Sequence, residues 1–201
     1  MASEVDICNM ALSHLGNSKE IAILATEKSE EAAACRRFYE TARDTVLRDF
    51  AWPFATRILS LGLVEEDPND EWAYAYRYPT DCLLLRRLLS GLRNDNRQSR
   101  APYRVARDDD GLVIYTDLAE AQMEYTVRET DPNRFPPDFT LALSYRLAVL
   151  LASRITAGDP FKLVEKSFNL YQIELGNARA QAGNEEQPDE TPQSEFIRDR
   201  E

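Results

Sequence analysis

The chain has 201 residues, a formal net charge of −11 and 43% hydrophobic residues, a composition that supports one ordinary globular core. No apolar run of membrane-spanning length is unbroken, since Leu141 to Ile155 is cut by Ser144, Tyr145, Arg146 and Ser153, and the acidic opening Met1 to Asp6 does not read as a signal peptide. Cys8, Cys35 and Cys82 are odd in number, far apart and without a C-x-x-C, so they read as buried free thiols in a reducing cytosol.

Ser3, with Asp6 three residues on, predicts a capped first helix carrying Val5, Cys8, Leu12 and Leu15 on one face and stopping at Gly16. Ser29 starts a second helix, with Ala32, Cys35, Tyr39, Ala42, Val46 and Phe50 apolar and Arg36, Arg37, Arg43, Asp44 and Arg48 elsewhere. Trp52-Pro53-Phe54 ends it, because proline breaks the hydrogen-bond ladder.

From about Thr56 to Arg128 the period changes to that of strands. Arg57 to Leu61 and the aromatic-rich Trp72 to Tyr78 alternate, and Pro79-Thr80-Asp81 is a turn. Cys82 to Leu89 is ambiguous between strand and short helix. Tyr103 to Arg107 and Leu112 to Tyr115 flank Asp110-Gly111, which predicts a hairpin. A last strand runs from Ala121 to Arg128, with Met123, Tyr125 and Val127 on one side. Pro132 to Pro137 breaks this pattern, and Asp138 is expected to cap a third helix through Phe139, Leu143, Leu147, Leu151 and Ile155. Gly158 stops it. Asp159-Pro160 restarts a fourth helix with Phe161, Val164, Phe168, Tyr171 and Leu175 in one stripe. Beyond Gly183 the chain is polar and cannot bury enough surface to fold alone.

The expected fold is α+β and mainly α: a four-helix bundle with a small antiparallel β insertion between helices 2 and 3, and an extended C-terminal tail. Residues 1–55 and 132–183 form the bundle, 56–131 the insertion and 184–201 the tail.

Signatures of catalysis are sparse. His14 is the only histidine, so neither a zinc site nor a Ser-His-Asp triad has the groups it needs without it. The glycines form no G-x-G-x-x-G and no phosphate loop. Asp67-Pro68-Asn69-Asp70-Glu71 lacks the calcium-loop frame, and Glu65 to Glu71 reads as a solvated acidic loop. Glu27, Glu30 and Glu31 sit where acids oppose a helix dipole rather than where a paired-carboxylate hydrolase would need them. Neither a metal nor a cofactor is expected. The basic stretch Arg86 to Arg107 has two readings: contact with DNA phosphates, or a loop that pairs with acids on a neighbouring subunit.

Ala11-Leu12-Ser13-His14-Leu15-Gly16, then Ser29-Glu30-Glu31-Ala32-Ala33-Ala34-Cys35, then Tyr39, Arg43-Asp44, Leu47-Arg48, Phe50, Trp52, Phe54 and Ala55 make a long compound motif. It resembles the head-to-tail adaptor proteins related to the tail tubular protein A of short-tailed phages. The match covers roughly the first 55 residues, and the rest agrees in layout more than in letters. The resemblance implies a dodecameric ring below the portal protein, in the tail or neck of a virion assembled in the host cytoplasm. Double-stranded DNA would pass through its axis, and a tail nozzle or tube protein, with tail fibres, would dock beneath. It implies no membrane insertion and no catalytic residues, although some tail accessory proteins of similar shape are cell-wall hydrolases. A peptidoglycan hydrolase and a cytosolic binding module are the rival readings.

In such a ring each subunit meets the next through two different faces. Arg36, Arg37, Arg43, Asp44 and Arg48 then have two readings, partners across the seam or a solvated helix face. Arg93, Arg97, Arg100 and Arg104 are the candidates for the DNA channel or a tail contact. Phe196-Ile197, with Arg198 and Arg200, ends an acidic tail in the manner of an anchor peptide and is the candidate portal-docking segment.

Overall fold

Two serines start the helical layer of the computed structural model, which describes residues 2–91, 100–156 and 160–185. Ser3 caps α1 (Glu4–His14) with a reciprocal box: its hydroxyl accepts from the Asp6 amide at 3.2 Å while the Asp6 carboxylate accepts from the Ser3 amide at 2.8 Å. Ser29 caps α2 (Glu30–Asp49) by accepting from the Ala32 amide. The third helix, α3 (Pro137–Ile155), starts one residue before the Asp138 cap expected from the sequence. Proline fits that first position because its missing N–H would have had no partner there. α4 (Pro160–Glu185) runs on past Gly183. α3 packs against α1, α2 and α4 and buries Phe139, Leu143, Leu147 and Leu151.

The segment between α2 and α3 is larger than an insertion on a bundle. Among the described residues, seven strands make two antiparallel sheets. One sheet has the order β1-β7-β4, from Thr56–Ser60, Gln122–Val127 and Cys82–Leu89. The other has the order β2-β3-β6-β5, from Leu63–Asn69, Trp72–Arg77, Gly111–Thr116 and Arg104–Asp108. The expected four-helix bundle with a small β insertion is therefore overturned: the chain is a mixed helix-and-sheet fold. β1 and β7 pair from Thr56↔Thr126 to Ser60↔Gln122, so the start and end of the sheet region close on each other. Tyr76, Leu85, Leu88, Ile114, Met123 and Tyr125 share one continuous core with the helices.

Two segments explain why the sheets looked small. Glu65 to Asn69 reads as an acidic loop but belongs to β2, an edge strand that pairs with β3 alone. An edge tolerates Pro68 and charge on both faces, and a bulge between Glu66 and Asn69 places Asp67 at φ +48°. β4 was ambiguous because two irregularities in its pairing with β7 reset the alternation. Leu85 and Leu88 are thereby both buried although three residues apart. The hairpin falls where expected, with β5 and β6 closing at Asp108↔Gly111. Gly111 holds φ +146°, and the Asp108 carboxylate accepts from the amides of Asp110 and Gly111.

Trp52 lies where helices and sheets meet, 1% exposed, edge-on to Phe50 and Phe139 with ring centroids 5.1 Å away in each case. Replacing it with alanine, Trp52→Ala, is expected to cost about 3–5 kcal/mol by chemical denaturation. A loss below about 1 kcal/mol would contradict its place in the core.

Candidate functional site

A helix leaves its last four carbonyls without intrahelical donors, and those of α2 are all met by side chains from elsewhere. Trp52 Nε1 donates to Val46 at 2.8 Å. Arg86 Nη2 sits among the carbonyls of Leu47, Arg48 and Phe50 at 3.1, 3.1 and 2.7 Å, while its Nε donates to Thr126 Oγ1 at 2.8 Å. Arg179 Nη2 donates to the Asp49 carbonyl at 3.0 Å, and the Tyr171 hydroxyl donates to the Asp49 carboxylate at 2.6 Å. One helix terminus thus ties together α2, α4, β4 and β7. Burial lowers the pKa of Arg86 from its ordinary value, yet a guanidinium stays charged, and its cation complements the negative end of the helix dipole.

The last part of the compound motif is spent on this joint. Leu47 is buried, Trp52 forms its centre, and Phe54 lies edge-on to Phe139 with ring centroids 5.0 Å apart, while Tyr39 is buried farther back along α2. Arg43 is only 5% exposed and donates to Asp44 at 2.9 and 3.1 Å, while the other Asp44 oxygen takes Arg128 Nε at 3.0 Å. Of the five candidate interface residues, Arg43 and Asp44 are thereby committed within the chain. Arg36 is exposed but donates to the carbonyls of Leu24 and Glu27, pinning the loop before α2. Arg37 lies 5.8 Å from the Phe38 ring, and it and Arg48 are exposed on the surface.

The basic stretch divides in the same way. Arg86 points inward, and Arg87 pairs with Glu124 at 2.7 Å. Arg104 is exposed and reaches Glu71 at 3.4 Å, and Arg100 is exposed. Arg93, Arg97, Phe196, Ile197, Arg198 and Arg200 lie outside the described residues. Sequence reading missed Arg86 as a structural group, because nothing local separates it from its basic neighbours.

The one histidine does meet a serine. His14 Nε2 lies 3.0 Å from Ser144 Oγ, and its ring stacks on Tyr145 at 4.0 Å. Ser144 gives its only proton to the Leu141 carbonyl at 2.7 Å, so His14 must be the donor in the pair. A serine activated by a base needs the opposite direction, and among the described residues no carboxylate orients the ring. The contact ties α1 to α3.

Among the described residues, large apolar side chains are open in several places, Ile23 in the loop before α2 and Val105 and Leu112 on β5 and β6 among them. On the β side, Ile58 is 61% and Leu63 51% exposed, with Leu59 and Val64 also open. Between the two sheets there is a half-open groove of about 530 Å³, whose lining includes Leu61, Leu63, Tyr74 and Tyr76. On the helical side, Phe161 is 82% exposed, with Phe168 and Ile173 open on the same helix. The stripe expected along α4 thus divides, with Tyr171 and Leu175 buried and Phe161 outside. Among the described residues no His, Cys, Asp or Glu cluster could hold a metal ion, and no helix is long and apolar enough to cross a membrane.

A scan against protein-family models finds no match for the chain, and a search of curated proteins finds none either.

Two outcomes follow from this geometry. Arg86→Met removes donors from three carbonyls and Thr126, and is expected to cost about 3 kcal/mol or more in denaturant unfolding; Arg86→Lys cannot restore the fork. A loss near zero would show that the helix end is closed by other means. Burial holds the folded-state pKa of His14 below its unfolded value, which is about 6.5. Its contribution is therefore complete above about pH 6.5 and is lost as the pH falls from there through the folded value. Stability followed from pH 7.5 to 5 should show a decline that His14→Gln reduces; an unchanged slope in the variant would exclude His14 as the source.

Proposed function

We propose that the chain is a structural subunit of a phage virion, one copy in an adaptor ring that joins the portal to the tail around the DNA exit channel. The observation that carries this reading is the compound motif from Ala11 to Ala55. Its letters are unevenly spaced along 45 residues, yet Leu47, Trp52 and Phe54 work around the end of α2, Arg43 and Asp44 form an internal ion pair, and Tyr39 is buried farther back on the helix. A pattern of that kind marks a shared way of building a joint, which a short catalytic motif does not.

The surface fits the same reading. A ring needs two different faces on each subunit, and the chain leaves apolar side chains open on its β side and on α4. The net charge of −11 suits a channel lining, since an acidic wall holds DNA weakly and lets it slide. Exposed Arg100 and Arg104 are the described candidates for a contact with the channel or the tail. The portal protein and a tail nozzle or tube protein are the principal partners, with tail fibres docking at the periphery. The role is assembly, with no cofactor and no bond made or broken, and the site of action is the neck or tail of the particle.

The segment after α4, with Phe196-Ile197 and Arg198 and Arg200, is the portal anchor in this reading. A chain ending at Glu185 is expected to melt within a few degrees of the full chain but to lose attachment to portal-bearing capsids in co-sedimentation. Attachment equal to that of the full chain would remove the anchor. Zymography on peptidoglycan should show no clearing; a clearing zone abolished by one Glu or Asp substitution would replace the structural reading with a hydrolase.

A further inference from the structure

The four-stranded sheet ends in two open strands of opposite charge. Among the described residues β2 pairs with β3 alone and β5 with β6 alone. The outer edge of each strand therefore carries backbone amides and carbonyls with no strand beside them. Leu63 to Asp67 are exposed along β2, as are Arg104, Val105 and Arg107 along β5. On β2 the side chains of Glu65, Glu66 and Asp67 have no hydrogen bond or ion pair among the described residues. On β5 Arg104 and Asp108 are paired within the chain, with Glu71 and Arg77. That leaves Arg107, among the described residues, as the unpaired charge of β5. The irregularity after Glu66, with Pro68 inside it, limits β2 as a template to Leu63–Glu66.

Direction and charge together select the strand that fits this template. β2, β3, β6 and β5 alternate in direction, each antiparallel to the next. With an even number of alternating strands, a second copy in the same orientation brings its β2 antiparallel to β5 of the first. Apolar Leu63 and Val64 then run beside Val105 and Ala106, and an acidic edge meets a basic one. Two-fold pairs are worse matched. β2 against β2 sets Glu65 and Glu66 on their own copies, β5 against β5 sets Arg107 on its own, and like charges across paired strands are destabilising.

We propose that Arg104–Arg107 of one copy adds as an antiparallel strand to Leu63–Glu66 of a second copy, continuing the sheet from subunit to subunit. Backbone hydrogen bonds hold the strand, and the charges set which edge it accepts. Of Arg104 the seam takes the backbone alone. The contact joins two different edges of the same chain, so it propagates head to tail and closes into a ring when the rotation between copies allows. It rests on the adaptor reading and gives that reading its subunit seam.

Two full-length variants trap the seam, Val64→Cys on β2 and Ala106→Cys on β5. Mixed and treated with a short bismaleimide, they should give a linked pair at least tenfold more abundant than either variant alone or the unaltered chain gives. Equal yields, or none, would overturn the contact, and Val64→Cys linking to itself as strongly would replace it with a two-fold pair. Charge reversal then checks the match. Glu65→Lys with Glu66→Lys on the first variant, or Arg107→Glu on the second, should each lower the yield at least threefold, and both together should restore it. A loss that the double reversal leaves unrestored would overturn the pairing. Capsid attachment is read separately: chains that attach without linking leave the adaptor reading standing without this seam, and chains that link but never attach do the reverse.

Discussion

A helix that ends inside a protein exposes carbonyl oxygens to a medium that cannot hydrate them, and an unmet acceptor there costs on the order of 1–3 kcal/mol. α2 is partly in this situation at the meeting of helices and sheets: Val46 and Leu47 are buried, while Arg48 and Asp49 reach the surface. Trp52, Arg86 and Arg179 supply the donors, and they come from the residues just after the helix, from β4 and from α4. The closure is therefore also the weld between layers. β4 cannot drift from α2 without uncovering Leu47, Arg48 and Phe50, and α4 cannot leave without releasing Asp49. The aromatic cluster of Phe50, Trp52, Phe54, Phe135 and Phe139 seals the same place against water.

With its interior fixed in this way, the chain leaves its remaining apolar surface for assembly. Residues that look like interface from their charge divide: Arg43 and Asp44 form an ion pair extended by Arg128, Arg36 secures a loop from the surface, and Arg37 and Arg48 are exposed. Surfaces that stay open include β1 and β2 and the outer side of α4. A single serine–histidine contact exists, and its proton is directed away from nucleophilic chemistry. The proposed role as an adaptor draws on the first property and has no use for the second.

Much of this was legible in the sequence where a rule is local. The caps at Ser3 and Ser29, the hairpin at Asp108 to Gly111 and the alternation of β7 each depend on a few adjacent residues, and each lies where its residues placed it. The extent of the sheets was not legible. An edge strand needs only one partner, so β2 could carry five residues as polar as Glu65-Glu66-Asp67-Pro68-Asn69. Bulges erased the period of β4. Arg86 was hidden for a different reason: its partners lie 36 to 40 positions away, and nothing near it in the chain separates a half-buried, bonded guanidinium from a free one. The stripe on α4 was read correctly as a helix face, yet helix periodicity cannot tell which end of a stripe a neighbour will cover.

The central claim is that copies of this chain form a closed ring on a portal. Electron microscopy of the full-length protein mixed with portal-bearing, tailless capsids tests it most directly. The account predicts a ring of repeated subunits, centred on the DNA exit channel and in direct contact with the portal. Bare portals at saturating protein, or single copies scattered over the capsid surface, would contradict it.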